Sequence, residues 1–328
     1  MRFAFLDTLR GLAALAVCFY HFLSQVPGFV DNASVSNFFY WGHKGVQVFF
    51  IISGIVIPFS MLKLNYKINY FFRYLGRRLL RLEPPYFIAI LLGLGLVFLR
   101  QIIIAETGEL TNAYSFGNVL AHLGYLVPFF EKNNWLNPVF WTLAIEFQYY
   151  IFLCLFFPLV TSNKAIHLVL FVFILLIISF YSSSSYFFPK WASFFGLGIA
   201  YSLYALKRIN YLQFAVAFML LLVMVITKQG LIDAVIGSIT IAVIHFFKNI
   251  EFEIGNFFGN ISYSLYLVHT IVGTTLINLS LRFFYEFTKQ HYEFIFVFAL
   301  AASVLFAYLF WLFIESPSQK LSKKFKVS

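Results

Sequence analysis

The sequence predicts an all-α polytopic membrane protein of about ten transmembrane helices, with both termini cytoplasmic. Three observations predict it. Of the 328 residues 61% are apolar and only 11% charged, against about 25% charged in ordinary globular chains. Aromatic residues make up 22%, with 46 Phe and 20 Tyr, more than a water-soluble core holds and suited to a lipid-facing bundle with aromatic interfaces. Finally, the apolar residues fall in runs long enough to cross a hydrocarbon core about 30 Å thick.

Those runs lie at 9–26, 45–62, 84–104, 138–160, 165–182, 187–206, 210–227, 231–247, 257–280 and 292–314. The first resembles the apolar stretch of a secretory signal. Asp7 is foreign to a positive leader, however, and no small-residue cleavage site follows closely, so we keep it as the first span. Segment 119–130 contains His122 and Pro128 between polar flanks and reads as interfacial or re-entrant. The connections at 63–83 and 105–137 read as the longest loops. An even number of spans puts both ends on one side, and the basic residues say which. With the N-terminus inside, sixteen of the 23 Lys and Arg fall on the inner side, from Arg2 and Arg10 through Arg73, Arg77, Arg78 and Arg81 to Lys326. The rest, Lys44, Arg100, Lys132, Lys190, Lys228, Arg282 and Lys289, fall outside, as the positive-inside rule requires. The outer loops also hold Asp31, Glu106, Glu109, Glu131, Glu286 and Glu293. This placement assigns the net charge of +10 to membrane orientation and an anionic small ligand, not to nucleic acid. Residues 1–328 read as one transmembrane domain. Cys18 and Cys154 both sit in apolar runs and make no disulfide framework.

Ionisable groups inside apolar spans are functional candidates by default. The stretch Leu6–His21 carries three. Arg10 and His21 are eleven positions apart, about three helical turns plus 20°, so they share a face, and Asp7 lies in pairing range of Arg10. His21 then sits roughly 16 Å along the axis from Arg10, near mid-membrane. Glu146 enters from the outside to a similar depth, with Thr142, Tyr149 and Tyr150 near its face and Trp141 just before them. His269 ends the polar stripe Ser262–Tyr266–His269. Ser53-Gly54 adds a hydroxyl and a point of close helix approach. On the inner side Arg78 and Arg81 share one face of a short helix that Pro84 is expected to end, and arginine forks suit phosphate. A metal held by His21, His269 and Glu146 lacks any ligand-spacing motif, so none is expected. An inner phosphate-binding surface leading to a mid-membrane His/Glu site suits a donor with a phosphorylated head and a long thin arm, such as an acyl-CoA.

Six segments in order resemble the acyltransferase 3 family of membrane O-acyltransferases. They are Leu6-Asp7-Thr8-Leu9-Arg10-Gly11 with His21, Gly45 to Gly54, Arg78 to Pro84, Trp141 to Tyr150, Ser262 to His269, and Phe313-Ile314-Glu315-Ser316-Pro317. Thr142 stands where the family usually has serine, and Ile55 where phenylalanine is common. The resemblance implies ten transmembrane helices in a bacterial inner membrane, a cytoplasmic acyl-CoA donor, most commonly acetyl-CoA, and a carbohydrate acceptor outside. It implies O-acetylation of cell-envelope sugars such as lipopolysaccharide or exopolysaccharide, in a form lacking the family's optional SGNH domain. His21 matches the family's catalytic histidine, and Arg10, Arg78 and Arg81 its functional arginines. Glu146 is expected to assist His21, with Asp7, Ser53, Trp141, Thr142, Tyr150, Tyr266 and His269 supporting the site or the acceptor. A proton-coupled transporter or flippase using His21, Glu146 and His269 as a relay is the competing class; a non-catalytic membrane subunit is a third.

Overall fold

Helix formation follows the apolar runs throughout a computed structural model that describes residues 5–104, 115–130, 134–162 and 165–326. The helices are α1 (Phe5–Leu23), α2 (Ala33–Tyr40), α3 (Gly45–Lys63), α4 (Phe71–Ile104), α5 (Phe116–Leu123), α6 (Trp141–Thr161), α7 (Ala165–Tyr181) and α8 (Phe188–Ala205). They continue with α9 (Tyr211–Gln229), α10 (Leu231–Phe247), α11 (Glu253–His269), α12 (Thr275–Phe283), α13 (Tyr285–Gln290), α14 (Tyr292–Phe310) and α15 (Ser316–Lys324). Every one of the ten apolar runs is occupied by helix. Seven stretches among the described residues are long and apolar enough to cross a membrane, and α7 and α10 are shorter apolar helices. The chain is a polytopic membrane protein. Polar caps start α2 and α9: Asn32 accepts from the Ser34 and Val35 amides, and Asn210 and Gln213 form a reciprocal capping box.

α8 is the central helix, buried on all sides from Trp191 to Leu203 as a helix apolar all round must be. Gly54 of α3 and Gly198 of α8 face each other: a Cβ on Gly54 would collide with the Phe195 carbonyl, and one on Gly198 with the Ile51 carbonyl. Only glycine permits that approach, the packing mode of apolar bundles. The same device joins α1 to α11, where a Cβ on Gly259 would collide with the Asp7 carbonyl. Asp7 meets Gly259 and Phe22 meets Gly273, so α1 and α11 run parallel. Ala16 meets Gly42 and Ala13 meets Gly45, so α3 runs antiparallel to α1.

Two expectations change. Pro84 does not end a helix: α4 runs unbroken through Pro84 and Pro85. The prolines remove the amides that would pair with the Leu80 and Arg81 carbonyls, a gap that helices packed among neighbours tolerate, and the Tyr263 hydroxyl, donating to the Leu82 carbonyl at 3.0 Å, ties α11 to α4 beside them. The stretch 63–83 is consequently not a loop but a turn at Ile68–Tyr70 followed by the first turns of α4. Of the 105–137 connection, residues 105–114 and 131–133 lie outside the described residues, as do Arg2, Glu106, Glu109, Glu131, Lys132 and Lys164 of the charge reading. What is described there includes α5 and a turn at Val127–Phe129, with His122 buried. The His122 ring donates from Nδ1 to the Asn118 carbonyl at 2.8 Å and accepts the Leu136 amide on Nε2 at 3.0 Å, a neutral imidazole spent on holding backbone.

Candidate functional site

Arg78 and Arg81, one turn apart on α4, reach the same cavity as Arg10 of α1. Arg78 is 8% exposed. Its Nε donates to the Tyr74 hydroxyl at 3.1 Å, and its guanidinium carbon lies 5.6 Å from the Tyr74 ring centre and 5.2 Å from that of Tyr150. Two phenol faces thus hold the fork by cation–π attraction, while its Nη2 is buried with no hydrogen-bond partner among the described residues. A buried cationic donor left open is a site for an anion oxygen. Arg10 keeps a partner: Asp7 Oδ1 lies 3.8 Å from its Nη1, the predicted pairing.

The cavity, about 860 Å³ with the open space at its mouth included, is walled by α1, α3, α4, α6 and α11. Beyond the arginines it is lined by Ser53, Thr142, Glu146, Tyr150, Tyr263 and Tyr266. Ser53 Oγ donates to Glu146 Oε1 at 3.0 Å, tying α3 to α6. Thr142 Oγ1 lies 2.9 Å from the Val139 carbonyl and 2.9 Å from the Tyr266 hydroxyl. A carbonyl only accepts, so the single Thr142 proton goes to Val139 and Tyr266 donates to Thr142. That bond fixes the Tyr266 ring at the cavity wall, against Phe49 at 5.5 Å.

His21 and His269 stand one layer farther along α1 and α11. Their ring centres are 5.2 Å apart, and that of His269 is 6.1 Å from the centre of Tyr266. His269 is fully buried, whereas His21 is partly exposed. The four mid-membrane groups read from the sequence therefore form two pairs, Ser53 with Glu146 in the cavity and His21 with His269 behind Tyr266. Trp141 lines neither; it packs on Trp191 at 5.6 Å and Tyr186 at 6.4 Å. Among the described residues, no group of three or more His, Cys, Asp or Glu is placed to hold a metal ion.

Sequence reasoning gave no role to Glu315. It is 2% exposed and accepts from the Ser264 amide at 3.1 Å, the Ser264 hydroxyl at 2.6 Å and Gln319 Nε2 at 2.7 Å. It lies within electrostatic reach of Arg10 and Arg81, so it is their countercharge from behind the cavity wall. Its signal was available as an acid at the end of an apolar run. Glu315 closes a π turn, Trp311–Glu315, and His269 immediately precedes another, Thr270–Thr274; such turns recur at functional sites. Asp233 was also missed: Lys44 Nζ reaches both its oxygens, at 2.9 and 2.8 Å, and Gln47 Nε2 donates to it at 2.9 Å.

None of the curated proteins and none of the solved structures compared with the chain matches it. The acyltransferase 3 family model, described as an acyltransferase domain, matches residues 3–312. The match covers nearly the whole length, and the chain belongs to the acyltransferase 3 family, as a membrane enzyme that transfers acyl groups.

Proposed function

We propose that this enzyme moves an acyl group, most commonly acetyl, from cytoplasmic acyl-CoA to a hydroxyl of an extracytoplasmic or lipid-linked sugar. The observation that carries the reading is the arginine-walled cavity lined by Tyr266, whose ring centre lies 6.1 Å from that of His269. Arg10, Arg78 and Arg81 hold the donor's phosphates, with the open Nη2 of Arg78 as the strongest unfilled donor. The pantetheine arm extends along α1, whose rise gives about 16 Å from Arg10 to His21. His21 takes the proton of the acceptor hydroxyl as its oxygen attacks the thioester carbon. The C–S bond then breaks, and the departing thiolate recovers that proton from the imidazolium. Glu146, held by Ser53, orients the acceptor or the reacting carbonyl, while Thr142, Tyr150 and Tyr266 supply the polar lining. Asp7 steadies Arg10.

The whole chain acts as one unit of ten membrane-spanning helices with both termini in the cytoplasm of a bacterial inner membrane. Helix directions support this: α1 and α11 are odd-numbered spans and run parallel, whereas α3 is an even one and runs against α1. So do the charge pairs. Lys44 with Asp233, and Lys289 with Asp31, join residues of the outer side, and Arg77 reaches the Phe325 carbonyl on the inner side.

The test is purified full-length protein in lipid nanodiscs given radiolabelled acetyl-CoA and lipid-linked glycan from a bacterial envelope. Alkali-labile label on glycan, lost in Arg78→Ala/Arg81→Ala, is the expected result. Glycan or lipid flux in sealed vesicles with no acetyl-CoA consumed would replace this reading with transport.

A further inference from the structure

The Nδ1 atom of His269 lies 3.0 Å from the Leu265 carbonyl and 2.9 Å from that of Tyr266, one turn back on its own helix. Carbonyl oxygens only accept, so Nδ1 carries the proton. A neutral imidazole has one N–H, which leaves Nε2 as a lone-pair acceptor. That atom is buried and has no hydrogen-bond partner among the described residues. Buried polar atoms without partners are rare and call for an explanation. The nearest ring able to donate to it belongs to His21, with centres 5.2 Å apart and planes tilted by 49°. The last torsion of a histidine is broad, so the partly exposed His21 ring can turn an N–H toward the fixed acceptor at little cost.

We propose that His269 is the positioning residue of a histidine dyad: its Nε2 accepts the N–H of His21, which fixes the His21 tautomer and leaves the opposite ring nitrogen as the base. No proton crosses between the rings. His269 stays neutral because its own proton is committed to the helix backbone, and it stabilises the His21 imidazolium by accepting from it. The fold supports this division of labour. Close packing of α1 on α11 at Gly259 sets the two rings in register, and the π turn that starts at Thr270 ends the regular ladder just after His269. This inference rests on the reading of His21 as the base, but its test does not depend on turnover alone.

Two variants separate the roles. His269→Phe keeps the ring volume and removes the acceptor. His269→Gln offers a side-chain oxygen near the place of Nε2. The full chain, labelled with ¹⁵N-histidine in nanodiscs, should show His21 as a single tautomer in the wild type and in His269→Gln, and as a mixture in His269→Phe. In the transfer assay kcat should fall about 10- to 100-fold in His269→Phe, with both Michaelis constants nearly unchanged, and recover in part in His269→Gln. A His21 tautomer indifferent to His269→Phe overturns the dyad even where transfer is robust. A raised acceptor KM with kcat intact overturns it too and makes His269 an acceptor-binding residue. If the tautomer responds but no acyl group is transferred by the wild type, the dyad stands and the transferase reading of the pair falls.

Discussion

Ser53 donates to Glu146 across 3.0 Å, joining α3 to α6 inside the cavity. The bond needs an oxygen on residue 146 but not its charge. Glu146→Gln should therefore insert and melt like the wild type while losing part of its turnover. Glu146→Ala leaves the Ser53 hydroxyl unpaired and should cost about 1–3 kcal/mol as well. Thermal melts and transfer rates on the same preparations check both. A wild-type rate in Glu146→Gln would remove the carboxylate charge from the reaction.

Arg78 and Arg81 are expected to act on donor binding. Replacing both by alanine should raise the donor KM at least ~10-fold, and raised salt should reproduce part of the effect in the wild type. Arg78→Lys should not rescue, because a compact ammonium cannot stack as a planar fork between Tyr74 and Tyr150. Donor titrations at several ionic strengths measure this. An unchanged KM in the double variant would reduce the arginines to orientation signals.

Gly259 holds Arg10 and His21 against α11. A Cβ there collides with backbone of Asp7, so Gly259→Ala must displace one helix. We expect a loss of about 1–3 kcal/mol from overpacking and a disproportionate loss of transfer, since both ends of α1 carry site residues. Gly93, where a Cβ meets nothing within 4 Å, is the control: Gly93→Ala should be nearly silent in both assays.

Glu315 accepts three hydrogen bonds from Ser264 and Gln319. Glu315→Ala orphans the Ser264 hydroxyl and removes the countercharge of Arg10 and Arg81. Stability should drop by about 2–4 kcal/mol. Glu315→Gln keeps an acceptor oxygen and should recover most of the fold. Equal melting temperatures for Glu315→Ala and the wild type would contradict this placement.

Much of this was legible because helices are periodic. The Arg10-to-His21 spacing, the Asp7–Arg10 pair and the common face of Arg78 and Arg81 all follow from 3.6 residues per turn, and the apolar runs located every long helix. Position along each helix was legible too, but it says nothing about rotation around the helix axis. Hence Glu146 and His269, read at similar depth, belong to different pairs, and Trp141 turns toward Trp191 although Thr142 beside it lines the cavity. Pro84 was misread because the rule that proline breaks helices assumes water, not a helix packed among neighbours in a membrane bundle. Glu315 stood out as an acid at the end of an apolar run, but its partner did not: the bond to Ser264, about fifty residues earlier in the chain, arises only when the last helices pack.

If His21 is the base, single-turnover transfer from acetyl-CoA by His21→Ala, in nanodiscs with donor binding measured on the same sample, should reveal it. Insertion and donor affinity should be normal, with transfer under ~1% of the wild-type rate, as expected for loss of a positioned general base. Near-wild-type transfer by His21→Ala, with His269→Ala inactive, would contradict it and move the base to the other ring.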